Sequence, residues 1–385
     1  MLSKTSTSRA EHELLLLGAR TQADDQIVAR LRALTSRAID WDYLFLLARR
    51  HSVVQLLYLQ LQAHAADLIP QNHLARFKQN YQENVARNLV LTSELVSLIR
   101  DLSAAGIDSI PYKGPLLALL AYDDLALRRF VDLDIIVKKD DVFRARDLLL
   151  ERGFQAVLDP EQQSVVLRTQ HNIQFKRDSG RTIIELHWEV VSSLFALSVS
   201  AGDVWQRLIQ LDLNGEKVNS FSVDDLLFSL CVHGSRHIWE RLSWLCDVAE
   251  LIKRRKIDWP VLMDRAMQTD SERMFYLGLF LADRLLGTTV PDDVRIKLES
   301  DHQLQMIAQG IIDRMFSGTE HVPASPRQIF RFNFGLRKSW RGRARYFAFM
   351  LKPTDRDLAR FHLPASLSFA YYVVRPVRLL MFDKR

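Results

Sequence analysis

Two aspartates alternate with apolar residues in one short segment, and this segment constrains the fold more than any other part of the chain. In FVDLDIIVKK, Asp132 and Asp134 alternate with Val131, Leu133 and Ile135 before the run becomes fully apolar. A period of two is typical of a β-strand, so both carboxylates are expected on one face of it. A carboxylate in apolar surroundings is costly to remove from water unless a cation or a hydrogen-bond donor compensates it. The segment therefore predicts a paired acidic site, although an isolated Asp-x-Asp sequence more often lies at a surface or a helix cap.

A third acid lies on a later predicted strand, TIIELHWEVV, in which Glu185 and His187 share one face. If this strand neighbours the first, Glu185 joins Asp132 and Asp134 in a cluster of three carboxylates. Such clusters hold the divalent cations, Mg²⁺ or Mn²⁺, that phosphoryl and nucleotidyl transfer require. The alternative is that Glu185, which has apolar neighbours, simply alternates outward to solvent.

A strand-to-helix turn precedes the paired aspartates. GIDSIPYKG reads as a short strand, and PLLALLAYDD as a helix that Pro115 opens at the favoured first position. Gly114 lets a ligand approach the backbone closely, the helix N-terminus presents free N–H groups and Lys113 adds positive charge, so the turn is expected to bind phosphate. Arg128 and Arg129 are expected to clamp a triphosphate through bidentate contacts. The alternatives are an ordinary helix entry and a solvated loop.

The order of helical and strand-like segments predicts an α+β fold, with a small mixed-sheet core flanked by N-terminal and C-terminal helical regions. Helical patterns include DQIVARLRALTSRAI and DYLFLLARRHSVVQLLYLQLQAHA, and the pattern is helical again from about Val204. Between them, strands such as SVVLRTQHNIQFKR alternate with helices. At 385 residues the chain exceeds the usual length of a single core. The expected regions are an N-terminal helical region (1–95), an α/β core (96–200), a helical domain (201–325) and a basic, aromatic helical tail (326–385).

Taken together, these motifs resemble the nucleotidyltransferase superfamily, in which a strand, a glycine turn and a helix precede an Asp-x-Asp strand and a later acidic strand. The run PYKGPLLALLAYDDLALRRFVDLDIIV, followed by IIELHW and CVHGSRHIWERLSWLCDVAEL, is similar to a bacterial family of largely uncharacterised nucleotidyltransferases. In that family a Lys-Gly turn, an arginine shortly before Asp-x-Asp and a Glu-Leu-His-Trp strand recur. The similarity covers about residues 85–255, and RPVR near the C-terminus also fits it.

The resemblance implies a nucleotidyltransferase-like core and assigns a role to each motif. Lys113 and Gly114 fall at the nucleotide-phosphate turn. Asp132 and Asp134 form the metal-binding pair, and Glu185 is the third acid, which binds metal or acts as general base on an acceptor hydroxyl. The chain departs from the wider superfamily at the turn, where Lys-Gly-Pro replaces the usual Gly-Ser or Gly-Gly.

Five further side chains fall within one stripe if DDLLFSLCVHGSRHIWERLSWLCDVAELIKRR is one continuous helix, at about 100° per residue. They are His233, His237, Arg241, Trp244 and Asp247. In a member of this family such a polar face is expected to close over the active-site cleft. The alternative is a hydrogen-bonded interface between the helical and α/β regions, with Asp247 pairing Arg241 or a histidine. Zinc binding by His233 and His237 is a weaker alternative, because the segment lacks the glutamate that lies between the histidines of known zinc helices.

The positive charge of the chain is concentrated in its last sixty residues. Residues 326–385 contain fourteen lysines and arginines against three aspartates, although the whole chain carries only +6. In RFNFGLRKSWRGRARYFAFMLK aromatic residues are interleaved with arginines, which suits a membrane surface or nucleic acid. Peripheral membrane contact is favoured over nucleic acid here, because the apolar run YYVVRPVRLLMF follows; a helix pair packed on the body is the alternative.

The remaining composition indicates a cytoplasmic protein. Cys231 and Cys246 lack CxxC spacing, so neither a disulfide framework nor a zinc site is expected. The N-terminus has no signal-peptide pattern, and no window offers the ~20 uninterrupted apolar residues of a membrane span.

The combined interpretation is a metal-dependent enzyme that moves a nucleoside monophosphate from a nucleoside triphosphate to a hydroxyl group of an unknown acceptor. A second hypothesis is a non-catalytic nucleotide-binding or scaffold protein that keeps the same fold. A third, a toxin–antitoxin or tRNA-modifying variant, predicts that RNA copurifies with the protein.

Overall fold

The computed structural model has the predicted α+β fold, with a five-stranded mixed sheet among many helices. It describes residues 9–156, 166–167, 171–188, 201–319, 322–352, 357, 370–372 and 375.

Five helices form the N-terminal region: α1 (Ala10–Gly18), α2 (Asp25–Thr35), α3 (Trp41–Arg50), α4 (Val54–His64) and α5 (Gln71–Ala104). The side chains of Asp24 and Asp40 cap α2 and α3 by accepting hydrogen bonds from backbone N–H groups in their first turns. The single helix expected over 42–65 is interrupted, because Ser52 adopts a φ of 56° between α3 and α4.

The strands of the sheet are β1 (Ser109–Tyr112), β2 (Leu133–Val137), β3 (Gln155–Ala156), β4 (Asn172–Arg177) and β5 (Thr182–His187). They lie in the order β1-β2-β5-β4-β3. Strands β2 and β5 pair in parallel, and the other neighbours are antiparallel. The Asp-x-Asp strand and the Glu-Leu-His strand are therefore direct neighbours at the centre of the sheet.

Two helices lie between strands of the sheet, α6 (Gly114–Tyr122) and α7 (Val142–Glu151). A helix and a hairpin follow the sheet in the chain: α8 (Ala201–Gln206), β6 (Ile209–Leu213) and β7 (Glu216–Ser220). The hairpin corrects the expectation of helix from about Val204. Its turn consists of Asn214 and Gly215, both with positive φ, which is the two-residue turn that suits a twisted antiparallel pair. The strand expected over 164–177 begins only at Asn172, and residues 166–167 are helical.

Eight further helices follow among the described residues: α9 (Val223–Arg236), α10 (Leu242–Arg254), α11 (Trp259–Gln268), α12 (Glu272–Leu286), α13 (Asp292–Ser300), α14 (His302–Met315), α15 (Pro326–Gly335) and α16 (Trp340–Met350). The continuous helix expected over 224–255 is therefore wrong, because α9 ends at Arg236 and α10 begins at Leu242. Ile238 and Trp239 interrupt it with φ values of 53° and 49°.

Two hydrophobic clusters stabilise these elements. One contains side chains of β2, β4 and β5 together with the second half of α5 and α7. The other joins α1 to α4 with α9 to α14, so the N-terminal and C-terminal helical regions share a core although they are distant in sequence. The domain boundaries expected from the sequence remain predictions. Among the described residues, no helix combines the length and the apolar character needed to cross a bilayer.

Candidate active site

A cavity of about 790 Å³ opens where the sheet, α9, α10 and the last two helices meet. Every residue predicted for the site lines it, as does Trp244. The cavity therefore brings the predicted residues together from four separate stretches of sequence.

Asp134, Glu185 and His187 form the compact centre of the cavity. Asp134 on β2 lies opposite Glu185 in the parallel pair with β5. Nε2 of His187 lies 2.8 Å from Oδ1 of Asp134 and 3.5 Å from Oε2 of Glu185. One potential ligand atom from each of the three lies within 4.8 Å of the other two. This group can hold a metal ion.

Hydrogen bonding sets the charge of this centre. Burial acts to raise the pKa of Asp134, but the hydrogen bond from His187 and the charge of Lys113 hold it below its usual value. The pKa of Glu185 is also lowered, first by its hydrogen bond with His187. Burial acts to lower the pKa of His187, and the two carboxylates raise it above its usual value. Both carboxylates are therefore ionised at neutral pH.

Two amides on the neighbouring antiparallel strand hold the Glu185 carboxylate. Asn172 and Gln174 on β4 donate to its two oxygens at 3.1 Å and 3.3 Å. Each side chain lies on the same face as Glu185 because the β4–β5 register pairs Gln174 with Glu185 and Asn172 with His187. These amides were not predicted from the sequence, although their period-two spacing within a strand next to the acidic strand could have indicated them.

Asp132 lies immediately before β2 and outside the compact centre. Burial and the negative charges of Asp134 and Glu185 raise the pKa of Asp132 to about 6, against the opposing charges of Lys113 and Arg128. Asp132 thus borders the same acidic centre, at its edge rather than within it.

The predicted phosphate turn has an unusual backbone. Lys113 adopts a φ of 59° with ψ of −129°, and Gly114, the first residue of α6, has a φ of 44°. The Lys113 ammonium lies 3.1 Å from Nδ1 of His233. Burial and then the charge of Lys113 lower the pKa of His233 well below its usual value, so the ring is neutral and accepts a hydrogen bond from the ammonium. The turn therefore directs one positive charge into the cavity.

Arg128 was expected to make a bidentate contact with a triphosphate. In the structure its bidentate contact is with the carboxylate of Asp247. Nε of Arg128 donates to Oδ1 at 3.0 Å, Nη2 donates to Oδ2 at 3.2 Å, and the Tyr122 hydroxyl donates to Oδ1 at 2.8 Å. The Asp247 side chain is 1% exposed. The pairing of Asp247 with Arg241 or a histidine, which was the alternative expectation, is wrong. Asp247 instead joins α10 to the loop that precedes the acidic strand.

His233, His237, Arg241 and Trp244 reach the cavity without sharing a helix. The rings of His233 and His237 lie 4.7 Å apart and each contacts Trp244. Burial and neighbouring positive charges, first that of Arg236, lower the pKa of His237 to about 3. The two histidines are not among the described residues that form a potential metal-binding group.

The last described helices also line the cavity, which was not predicted from the sequence. Asn333 on α15 and Tyr346 on α16 contribute to the wall, together with Phe349, Lys352 and Arg375. Burial raises the pKa of Tyr346 to about 12, so its hydroxyl keeps its proton. Most of the predicted tail beyond Lys352, including residues 358–369 and 376–385, lies outside the described residues.

Comparisons with known proteins found one matching family and a weak similarity to a solved structure. A model of the family described as "Uncharacterised nucleotidyltransferase" matches residues 37–287, which is more than half of the chain. Among solved structures, the chain is similar to an antigenic nucleotidyltransferase-like protein from Paracoccidioides brasiliensis, at 16% identity over 58% of this chain and 92% of that chain. The TM-score of that similarity is 0.34. No curated protein matches the chain.

Proposed function

Because the chain belongs to this family of uncharacterised nucleotidyltransferases, we propose that it moves a nucleoside monophosphate from a nucleoside triphosphate to a hydroxyl group of an acceptor, with Mg²⁺ or Mn²⁺ as cofactor. The observation that carries the proposal is the pairing of Asp134 with Glu185 across two parallel strands in the wall of a large cavity. Their side chains are 12% and 25% exposed, so both are sheltered and both can still reach a ligand.

The donor atoms of this centre fit a divalent cation. Carboxylate oxygens suit Mg²⁺ and Mn²⁺, whereas an imidazole suits softer metals. One potential ligand atom from each of Asp134, Glu185 and His187 lies within 4.8 Å of the other two, so the two carboxylates are close enough to share one cation. We assign Asp132, Asp134 and Glu185 as ligands and His187 as the donor that orients Asp134. A cation held there would neutralise charge on the phosphates.

Positive side chains around the centre suit a triphosphate. Lys113 projects from the turn, and Arg129 and Arg241 also line the cavity. The neutral ring of His233 holds the Lys113 ammonium by hydrogen bond and adds no competing charge. Arg128, which is held by Asp247, fixes the loop that leads into Asp132 and so positions the first acid.

Calorimetric titration with ATP, GTP, CTP and UTP, with and without Mg²⁺, tests the proposal. We expect at least one nucleotide to bind only with Mg²⁺, and the Asp134→Asn, Glu185→Gln variant to lose that binding. Transfer of label from an α-labelled nucleotide then separates an enzyme from a protein that binds nucleotide without turnover. Absence of Mg²⁺-dependent binding by all four nucleotides would contradict the proposal.

We further propose that the chain acts in the cytoplasm and that its tail contacts the membrane surface. On α16, Trp340 and Phe347 lie on one face, two turns apart, and they are 74% and 54% exposed. Arg341 and Arg345 flank them and are exposed too. Exposed aromatics beside arginines suit an interface with anionic lipid.

A further inference from the structure

A second cavity, of about 470 Å³, adjoins the first on the side of the N-terminal helices. Among the described residues that line it are four arginines and one acid, Glu83. The arginines are Arg49 and Arg50 from the end of α3, Arg87 from α5 and Arg129 from the loop before β2. A concave surface with this excess of positive charge attracts anions.

Three of these arginines have no acidic partner among the described residues. Arg50 is committed to the backbone, because it donates to the carbonyl oxygens of Gly318 and Arg314. Arg49, Arg87 and Arg129 make no ion pair and no side-chain hydrogen bond within the described part of the chain. Other arginines of the N-terminal helices do have partners: Arg30 pairs with Glu13, Arg32 with Asp67 and Arg76 with Asp42.

The positive charges of Arg87 and Arg49 act on the guanidinium group of Arg129. The pKa of Arg129 is lowered first by burial and then by the positive charges of Arg87, Arg241 and Arg49, and Asp132 opposes this only in part. Like charges held together destabilise each other, and an anion placed among them removes that repulsion.

The second cavity borders the active-site cavity. Ser52 and Arg129 line both of them. A molecule that occupies the second cavity therefore lies beside the main cavity, next to Arg129 in the loop that leads to Asp132. This is the position that an acceptor needs if its hydroxyl is to meet the nucleotide.

We propose that Arg49, Arg87 and Arg129 bind a phosphate ester group of the acceptor, so that the acceptor is a phosphorylated molecule whose free hydroxyl lies in the main cavity. The assignment of this ligand as the acceptor rests on the proposed function; the phosphate site itself does not. Guanidinium groups bind phosphate oxygens through paired N–H donors, which makes three of them a suitable site for a doubly charged phosphomonoester. The same chemistry suits a phosphodiester of a nucleic acid strand.

Isothermal titration with ribose 5-phosphate, ribose, inorganic phosphate and a short single-stranded RNA tests this site. We expect ribose 5-phosphate and inorganic phosphate to bind and ribose not to bind. The Arg49→Ala, Arg87→Ala variant is expected to lose about tenfold or more in affinity for ribose 5-phosphate, because each charge-assisted contact contributes on that scale. Arg37→Ala is the matched control, since it removes one exposed arginine from the loop between α2 and α3, away from both cavities.

The outcomes separate this site from the proposed transferase. Binding of Mg²⁺–nucleotide is expected to persist in the double variant, because neither Arg49 nor Arg87 lines the main cavity. If the wild type binds RNA but not ribose 5-phosphate, and the double variant binds RNA more weakly, the phosphate group bound by these arginines belongs to a nucleic acid. Equal affinity of wild type and double variant for every phosphate probe, or no binding by the wild type, would overturn the inference. The wild type could bind phosphate but no nucleotide. If the double variant then loses the phosphate binding, the arginine site is supported and only the proposed transferase activity is refuted.

Discussion

Nε2 of His187 lies 2.8 Å from Oδ1 of Asp134, and this contact connects the Glu-Leu-His strand to the Asp-x-Asp strand. The same nitrogen lies 3.5 Å from Oε2 of Glu185. One imidazole therefore contacts two of the three carboxylates that we assign as metal ligands, Asp134 and Glu185. A shared role of this kind is sensitive to the shape and the hydrogen-bonding capacity of the side chain.

Replacement of His187 is expected to weaken Mg²⁺-dependent nucleotide binding without unfolding the protein. Loss of a group that orients a ligand typically costs about 10-fold to 100-fold in metal affinity. His187→Phe keeps much of the ring volume and removes the donor, whereas His187→Gln retains an N–H that can reach Asp134. We expect calorimetric titration to show a large loss for His187→Phe and partial recovery for His187→Gln. Equal binding by His187→Phe and wild type would show that the contact is only structural.

Substitution at Lys113 is expected to separate stability from binding. Lys113 has a φ of 59° and a ψ of −129°, a backbone conformation that costs a non-glycine residue about 1–3 kcal/mol. Lys113→Gly and Lys113→Ala both remove the ammonium, but only glycine relieves the strain. We expect both variants to lose nucleotide affinity equally, and Lys113→Gly to unfold at a higher urea concentration than Lys113→Ala. Retained nucleotide binding in both variants would remove Lys113 from the phosphate turn.

Asp247→Asn is expected to destabilise the fold strongly. The substitution leaves the Arg128 guanidinium, whose side chain is only 11% exposed, without its carboxylate, and breaking such a buried pair costs about 3–5 kcal/mol. Asp67→Asn is the control, because Asp67 pairs with Arg32 at the surface and its loss matters much less. Urea unfolding of both variants gives the comparison. A similar loss of unfolding free energy in the two variants would mean that Asp247 does not anchor the loop.

His51 is expected to make the protein sensitive to acid. Its Nδ1 accepts from the Leu242 N–H at 3.2 Å and its Nε2 contacts the Met315 carbonyl at 3.1 Å, so one neutral tautomer joins α10 to α14. Burial lowers the pKa of His51 from 6.5 to about 3. Between these values the unfolded chain binds a proton that the folded protein does not, so the free energy of unfolding falls as pH falls, by about 1.4 kcal/mol per pH unit.

The matched variant for this effect is His51→Gln, which offers a donor and an acceptor but does not titrate. Its free energy of unfolding should fall less steeply with decreasing pH than that of the wild type over the same window. Urea unfolding at a series of pH values measures the two slopes. Parallel slopes would show that His51 is not the group responsible.

The exposed aromatics of α16 are expected to be needed for membrane contact. Burying a large apolar side chain contributes about 1.5–3 kcal/mol, so Trp340→Ser with Phe347→Ser should weaken binding to anionic vesicles by about tenfold or more. Ile296→Ser with Met306→Ser is the control, because these side chains are 66% and 76% exposed on other helices. Cosedimentation with vesicles measures both variants. Equal sedimentation of the two variants would refute the membrane proposal. Substitutions are used instead of a truncation because the tail also lines the active-site cavity.

The local pattern of the sequence was sufficient for the elements that carry the acids. Alternation around Asp134 and Glu185 predicted two strands, and the Lys113–Gly114 turn was expected between a strand and a helix. All three are present as β2, β5 and the entry to α6. That β2 and β5 are neighbours depends on the strand order of the whole sheet. The local sequence pattern is compatible with this order but does not determine it.

Tertiary packing decided the elements that were predicted wrongly. The helix expected over 224–255 ends early because the Trp239 ring packs against Gly234 and Gly278, where any larger side chain would collide with it. This packing holds Ile238 and Trp239 at positive φ, which no local propensity favours. The break turns α10 so that Asp247 meets Arg128. By contrast, the hairpin at Asn214 and Gly215 carries a recognisable Asn-Gly signal, so its turn could have been predicted.

Binding of Mn²⁺ in the presence of a nucleoside triphosphate, followed by electron paramagnetic resonance, tests the acidic centre most directly. We predict that the wild type binds Mn²⁺ with nucleotide, that Asp134→Asn and Glu185→Gln each weaken this binding by about tenfold or more, and that Asp140→Asn, an exposed acid beyond β2, leaves it unchanged. Wild-type protein that binds no Mn²⁺ with any nucleotide, or Asp134→Asn protein that binds it as tightly as the wild type, would contradict the assignment of these carboxylates as metal ligands.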